Sequence, residues 1–209
     1  MIGLTGVIAI VACCAALFAS AGWLGARAGE RLCAGIEAYE DSPASFVPPH
    51  WPFAAGAAAI GAAVALQGVS PAHAAVLLIV TFALAGGAAA DFRCGMLPDV
   101  MTVGPLALVV AFGAWSHDWS PAVGAAFVAV PFAFAALISR GRGMGWGDVK
   151  LAALGGALLG VADAALAFLL AALAAYLVAR RSAGLRRPIA FGPYLAASIA
   201  ASLTLTRTI

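Results

Sequence analysis

Eight apolar runs follow one another along this chain, each bounded by glycine, proline or charge, and that succession decides what it can fold into. They cover residues 1–26, 51–68, 72–90, 101–115, 121–139, 151–160, 161–179 and 189–206. Crossing a hydrocarbon core of about 30 Å takes about 20 apolar residues, and most of these runs come close to that length. Of the 209 residues 64% are apolar and only 10% charged, against about 45–50% and 25% in soluble domains. A soluble domain and a disordered chain are both excluded, and four cysteines are too few for a disulfide scaffold. A net charge of +2 without a long basic run argues against a nucleic-acid partner. The expectation is an all-α, polytopic membrane helical bundle of about eight spans, within bounds of six to eight. Its surroundings are the lipid bilayer, and no length remains for a separate soluble domain.

Residues 1–26 carry no basic residue ahead of their apolar stretch, unlike a cleaved signal peptide, and read as a retained span. Residues 27–50 form the only substantial polar stretch, expected to be a loop with a short amphipathic helix. Residues 151–160 are short for a crossing and suit a re-entrant helix, which is tolerated where protein or a wet cavity surrounds it. With the N-terminus outside and every run crossing, the inner loops are 27–50, 91–100, 140–150 and 180–188. These hold Arg27, Arg31, Arg93, Arg140, Arg142, Lys150, Arg180, Arg181, Arg186 and Arg187, ten of the 11 basic residues; Arg207 is the exception. That asymmetry places those loops in the cytoplasm. It also favours counting 151–160 as a crossing, since omitting it would move four arginines outside.

Nine acidic residues remain to be explained, and four of them lie in the first loop, where solvation accounts for them. Asp118 and Asp163 fall in outer turns and read as turn or cap residues. Asp99 follows Pro98 at a helix start and reads as a cap. Asp91 and Asp148 are different. Asp91 ends an apolar run on the inner side, at the negative end of its helix macrodipole, where a carboxylate is disfavoured. Asp148 follows Gly143, Gly145 and Gly147, and such spacing permits close backbone approach that a plain cap would not require. Two readings stand: flanking charges at helix ends, or a functional pair at one depth on one side. If the carboxylates meet, they would share a proton near neutral pH. One could then act as base on a water while its protonated partner donates to a scissile carbonyl.

At these residues the chain resembles the type IV prepilin leader peptidases. Asp91-Phe-Arg-Cys-Gly-Met-Leu-Pro-Asp99 looks like their first catalytic segment, and Gly145-Trp-Gly-Asp148-Val-Lys150 matches their GxGD signature, in the same order. The resemblance runs well over residues 72–179 and more weakly over Ile189-Ala-Phe-Gly-Pro-Tyr-Leu195, where Ala190 replaces a usual proline. It implies a membrane-embedded aspartic endopeptidase of the bacterial inner membrane. Such an enzyme removes the basic leader of prepilins or type II secretion pseudopilins at the cytoplasmic face. Asp91 and Asp148 carry over as the catalytic pair, Gly145 and Gly147 as residues shaping the site, and Lys150 as a tuning charge or membrane anchor. The expected organisation is a reduced N-terminal part, 1–71, ahead of a peptidase core, 72–209.

Members that also methylate the new pilin N-terminus usually carry paired CxxC motifs in the first loop. Here that loop holds Cys33 alone, while Cys13 and Cys14 lie in the first span and Cys94 follows Asp91. No zinc spacing results, so neither metal nor cofactor is expected, and a reducing compartment with no evident partner argues against a disulfide. His50, His73 and His117 receive no role. Glu37, Glu40 and Asp41 carry the charge sign to attract a basic leader. Two other classes remain: a small proton- or cation-coupled transporter using the same aspartates, and a noncatalytic assembly subunit. The sequence does not set the oligomeric state.

Overall fold

The computed structural model describes residues 4–34, 49–139, 144–182 and 190–205, and among these the chain is entirely helical. Seven helices succeed one another: α1 (Leu4–Leu32), α2 (Trp51–Gln67), α3 (Pro71–Cys94), α4 (Asp99–Trp115), α5 (Ser120–Ile138), α6 (Trp146–Ser182) and α7 (Gly192–Leu205). By length and composition α1, α3, α5 and α6 can each cross a membrane, whereas α2, α4 and α7 are shorter apolar helices. Gly143, Glu37, Glu40, Asp41, Arg140, Arg142, Arg186, Arg187, Ile189 and Arg207 lie outside the described residues.

Local chemistry sets the helix ends. Ser70 caps α3, its Oγ accepting from the His73 backbone N–H, with Pro71 in the first turn. Gly95 stops α3 in the left-handed conformation (φ 65°), and its N–H returns to the Asp91 carbonyl at 3.0 Å. Asp118 accepts from the Ser120 N–H at 2.9 Å ahead of α5, which holds its carboxyl below the usual range. Asp163 is exposed in the first turn after the break at Gly160, where the helix dipole favours a carboxylate.

The first helix runs further than expected. Residues 27–32, assigned to the loop, continue α1 because Gly25 and Gly29 lay its backbone directly against Phe82 and Gly86 of α3. The two helices therefore run parallel and end at the same level. Cys33 and Cys94 meet there in a disulfide with Cα atoms 6.2 Å apart, which corrects the expectation that Cys33 lacks a partner. Close packing of α1 and α3 supplies the proximity that a separation of 61 residues hides.

The short run after the GxGD motif is equally distinct in three dimensions. Gly160 adopts φ 73°, ψ 176° and interrupts α6. Gly155, before this point, packs against the ring of Phe168, after it. In a straight helix 13 residues would separate them by about 20 Å, so the chain folds back at Gly160. Residues 146–159 form a short helix and residues 161–182 return beside it.

Buried side chains of α2, α3, α6 and α7 form the core, with Ile60, Val80, Leu151, Leu154, Leu195 and Ile199 almost wholly enclosed. Large apolar side chains also cover the outside: Phe127, Val130 and Phe134 on α5, and Leu166, Leu169, Leu170 and Leu173 on α6, are exposed. A contiguous apolar exterior of this extent is that of a membrane protein.

Candidate active site

Three chain segments converge at one end of the bundle: the last turn of α3, the first turn of α6 and the first residue of α7. Asp91 stands on the α3 turn, 6% exposed. Its Oδ2 accepts the backbone N–H of Gly192 across 3.0 Å. The carboxylate is disfavoured by its own helix end, yet it sits at the positive end of α7, which offers an unpaired N–H. That contact accounts for a buried acid at a helix C-terminus.

Asp148 is the third residue of α6 and half-buried. Its Oδ2 accepts from the Gly145 N–H at 3.3 Å, while its own N–H returns to the Gly145 carbonyl at 3.1 Å. This is the reach-back half of a capping box. Each aspartate thus occupies a helix N-terminus, its own or a neighbour's. The two come to the same place: Gly147, beside Asp148, and Gly192, which holds Asp91, both pack against Leu97.

Leu97, between α3 and α4, holds the approach. A Cβ placed on Gly147 would lie 2.8 Å from Leu97 Cβ, and one on Gly192 would lie 3.0 Å from Leu97 Cδ1 and 2.8 Å from Asp91 Oδ2. Side chains at either position would drive α6 or α7 away from the loop. Gly145 differs: a Cβ there would find only ordinary contact, 3.7 Å from Asp148 Oδ2. Of the two motif glycines, Gly147 provides the close approach and Gly145 the backbone donor.

Lys150 reaches Asp99 rather than the central pair. Its Nζ forms an ion pair with Asp99 Oδ1, an exposed carboxylate in the first turn of α4. Asp99 follows the N-cap Pro98 instead of capping the helix itself. Sequence reasoning assigned no role to Leu97 or Gly192. Gly192 carried a signal, the Phe-Gly-Pro-Tyr string, but only the folded chain shows that its N–H serves Asp91. Leu97 is one apolar residue among many, and no local pattern singles it out.

Near this end, His50 Nε2 lies 2.9 Å from Glu30 Oε1, and its ring meets Trp23 edge-on, 6.0 Å between centroids. These contacts tie the start of α2 to α1 and give His50 a structural place.

Residues 75–179 match the family model for the type IV leader peptidase family. The matched segment contains both aspartates, Leu97 and the Gly145–Lys150 motif, and stops short of Gly192. No curated protein and no solved structure matches the chain.

Proposed function

The chain belongs to the type IV leader peptidase family, and from that premise we propose that it is an aspartic endopeptidase in which Asp91 and Asp148 are the catalytic pair. The observation that carries this reading is that two helix-end carboxylates stand at one end of the bundle, on segments that meet at Leu97, both inside the matched segment. A lone helix-end aspartate has a structural explanation; a second one at the same end adds the chemistry of a dyad.

In the proposed reaction one carboxylate, ionised, takes a proton from water as the oxygen attacks the scissile carbonyl. The other, protonated, donates to the carbonyl oxygen. The tetrahedral intermediate collapses with proton transfer to the leaving amine, and the carboxyls exchange roles. Activity therefore falls at low pH, where no base remains, and at high pH, where no acid remains. The Gly192 and Gly145 N–H groups each hold one oxygen of an aspartate in place.

The proposed substrates are type IV prepilins or type II secretion pseudopilins, cut after a basic leader. The proposed setting is the bacterial inner membrane with the pair facing the cytoplasm, where a reducing compartment would hold Cys33 and Cys94, at the same end, as thiols. Arg27, Arg31 and Arg93 lie near the Asp91 end of α1 and α3, and the positive-inside rule supports that orientation. We take the reversal at Gly160 as support for eight crossings, two of them in α6. The proposed organisation keeps residues 1–71 as an N-terminal part and 72–209 as the peptidase core. It assigns cleavage alone, because the first loop has one cysteine where methylating relatives carry paired motifs. Gly145 and Gly147 remain site-shaping residues. The Lys150–Asp99 pair supports a positioning role for Lys150, joining the starts of α6 and α4.

The test is co-expression with a prepilin whose leader ends in glycine, followed by mass measurement of the pilin. The expected result is loss of the leader at that glycine. An intact prepilin, across several prepilins and pseudopilins, would contradict the proposal.

A further inference from the structure

Cys33 and Cys94 stand beside the candidate site. Cys94 is the last residue of α3, about one turn beyond Asp91, and Cys33 directly follows α1. Both are buried, each 6% exposed, together with Ala90, the residue before Asp91. Both sulfurs converge on the Ala90 carbonyl oxygen, 3.6 Å from Cys33 Sγ and 3.1 Å from Cys94 Sγ, so as thiols each finds an acceptor there. As a disulfide they are bonded, with Cα atoms 6.2 Å apart, inside the range of about 4.4–6.8 Å that bridged cysteines occupy. The close contact of Gly25 and Gly29 with α3 keeps the two sulfurs together in either form. Cys13 and Cys14 do not compete, since they lie about 30 Å back along α1.

The bond restrains the loop that carries Leu97. Residues 95–98 join α3 to α4, and Leu97 sits against both Gly147 of α6 and Gly192 of α7. The far end of this loop is tied to α6 through the Asp99–Lys150 ion pair. Its near end begins at Gly95, whose left-handed turn leaves α3 directly after Cys94. With the thiols free, the last turn of α3 is held by helix hydrogen bonds and packing alone, and helix ends fray. With the bond formed, that turn is fastened to α1, and Leu97 is kept between the starts of α6 and α7. Those starts are where Asp148 and the Asp91 carboxylate are held, so a peptide that engages both aspartates displaces Leu97.

We infer that Cys33 and Cys94 are an oxidation site for hydrogen peroxide, and that their disulfide slows cleavage by fixing the loop of Leu97. The inference rests on the peptidase reading and adds its regulation. One thiolate attacks a peroxide oxygen; the O–O bond breaks, the departing hydroxide takes a proton to become water, and a sulfenic acid remains. The second thiol attacks that sulfur, forming the S–S bond and releasing a second water. The two thiols thereby lose two electrons and two hydrogens, and one peroxide is reduced to two waters. A dithiol reverses the step by exchange and is itself oxidised to a cyclic disulfide. Because the pair is buried, the oxidant must be small, as peroxide is and oxidised glutathione is not. In a reducing cytoplasm the pair rests as thiols and the loop is free to move.

The test takes the full chain in detergent, reduces it, exposes it to hydrogen peroxide and then removes the peroxide with catalase. Alkylation in denaturant followed by mass measurement reads the thiols, and cleavage of a cysteine-free prepilin reads the activity. Cys33 and Cys94 are expected to resist alkylation, their joined peptides being lighter by two hydrogens. Prepilin cleavage should fall at least about fivefold, and dithiothreitol should restore both the thiols and the activity. That reversal needs no variant, and it separates the pair from the exposed Met96, whose sulfoxide dithiothreitol leaves in place. Cys33→Ser should cut within about twofold of the reduced unaltered chain and ignore peroxide. Alkylation of both thiols after peroxide would overturn the oxidation site. A bond that forms while cleavage is unchanged would overturn the regulation, as would an equal peroxide loss in Cys33→Ser. Failure of the reduced chain to cut any prepilin would overturn the peptidase reading and the regulation with it, while the alkylation result still decides the oxidation site.

Discussion

The carboxylate of Asp91, in the last turn of α3, is held by the backbone N–H of Gly192, the first residue of α7, 101 positions along the chain. An acid placed against the dipole of its own helix is compensated by the dipole of another. Asp148 uses the start of α6 in the same way, through Gly145. Capping explains each residue separately. It does not explain why two acids at helix starts stand at one end of the bundle with small residues at both starts, which the proposed dyad would.

Gly192→Ala should be severe. Its Cβ would lie 2.8 Å from Asp91 Oδ2, too close for the present hydrogen bond to survive. A hydrogen bond to a charged group contributes about 1.5–3 kcal/mol, so kcat/KM for prepilin should fall roughly 10- to 150-fold. Steady-state cleavage at matched protein levels measures this; a value within twofold of the unaltered protein would show that the bond does not position Asp91 for reaction.

The glycines of the Gly145–Asp148 motif should separate. Gly147→Ala presses on Leu97 Cβ and carries an overpacking cost of about 1–3 kcal/mol. Gly145→Ala retains its N–H and finds only ordinary contact, so its loss should stay within about fivefold. Leu97→Gly, which removes the Cβ that alanine would keep, should partly restore Gly147→Ala, and the double-mutant cycle measures that coupling. Additive losses would deny that Leu97 sets the approach.

Much of this arrangement is legible in the sequence, and the illegible part has a physical cause. Apolar run lengths and their glycine and proline boundaries mark α2, α4 and α5 almost to the residue, because those breakers act locally. The break at Gly160 coincides with the boundary between two runs that look continuous by hydropathy alone. The end of α1 is misjudged because charge suggested a loop where tight contact with α3 sustains a helix. Asp91 stands out as a carboxylate in the wrong place for its helix, but its remedy lies on α7. Cys33 and Cys94 likewise depend on two helices ending at one level. Contacts between distant helices leave no periodicity to read.

Gly160→Ala isolates the reversal within α6. With φ 73° and ψ 176° the position is in a region that glycine alone enters freely, while nothing within 4 Å would meet a Cβ. The cost is thus conformational, about 1–3 kcal/mol. The expected outcome is a Tm lower by several degrees in detergent, followed by the loss of α-helical signal on heating; an unchanged Tm would mean that the chain turns elsewhere.

The Lys150–Asp99 ion pair should matter little to stability. Both side chains are substantially solvent-accessible, and such pairs contribute about 0–1 kcal/mol. Asp99→Asn is expected to shift Tm by no more than a few degrees and leave prepilin cleavage within threefold. A loss comparable with that of Asp91→Asn would place Asp99 in the reaction, contrary to this account.

The most direct measurement is cleavage of one prepilin in membranes containing, at equal levels, the unaltered chain, Asp91→Asn or Asp148→Asn. Asparagine keeps the size of the side chain and can accept the Gly192 or Gly145 hydrogen bond, but it can neither take nor give the catalytic proton. The account predicts cleavage by the unaltered chain and loss of at least about 100-fold in either variant. Cleavage persisting in both would contradict the dyad.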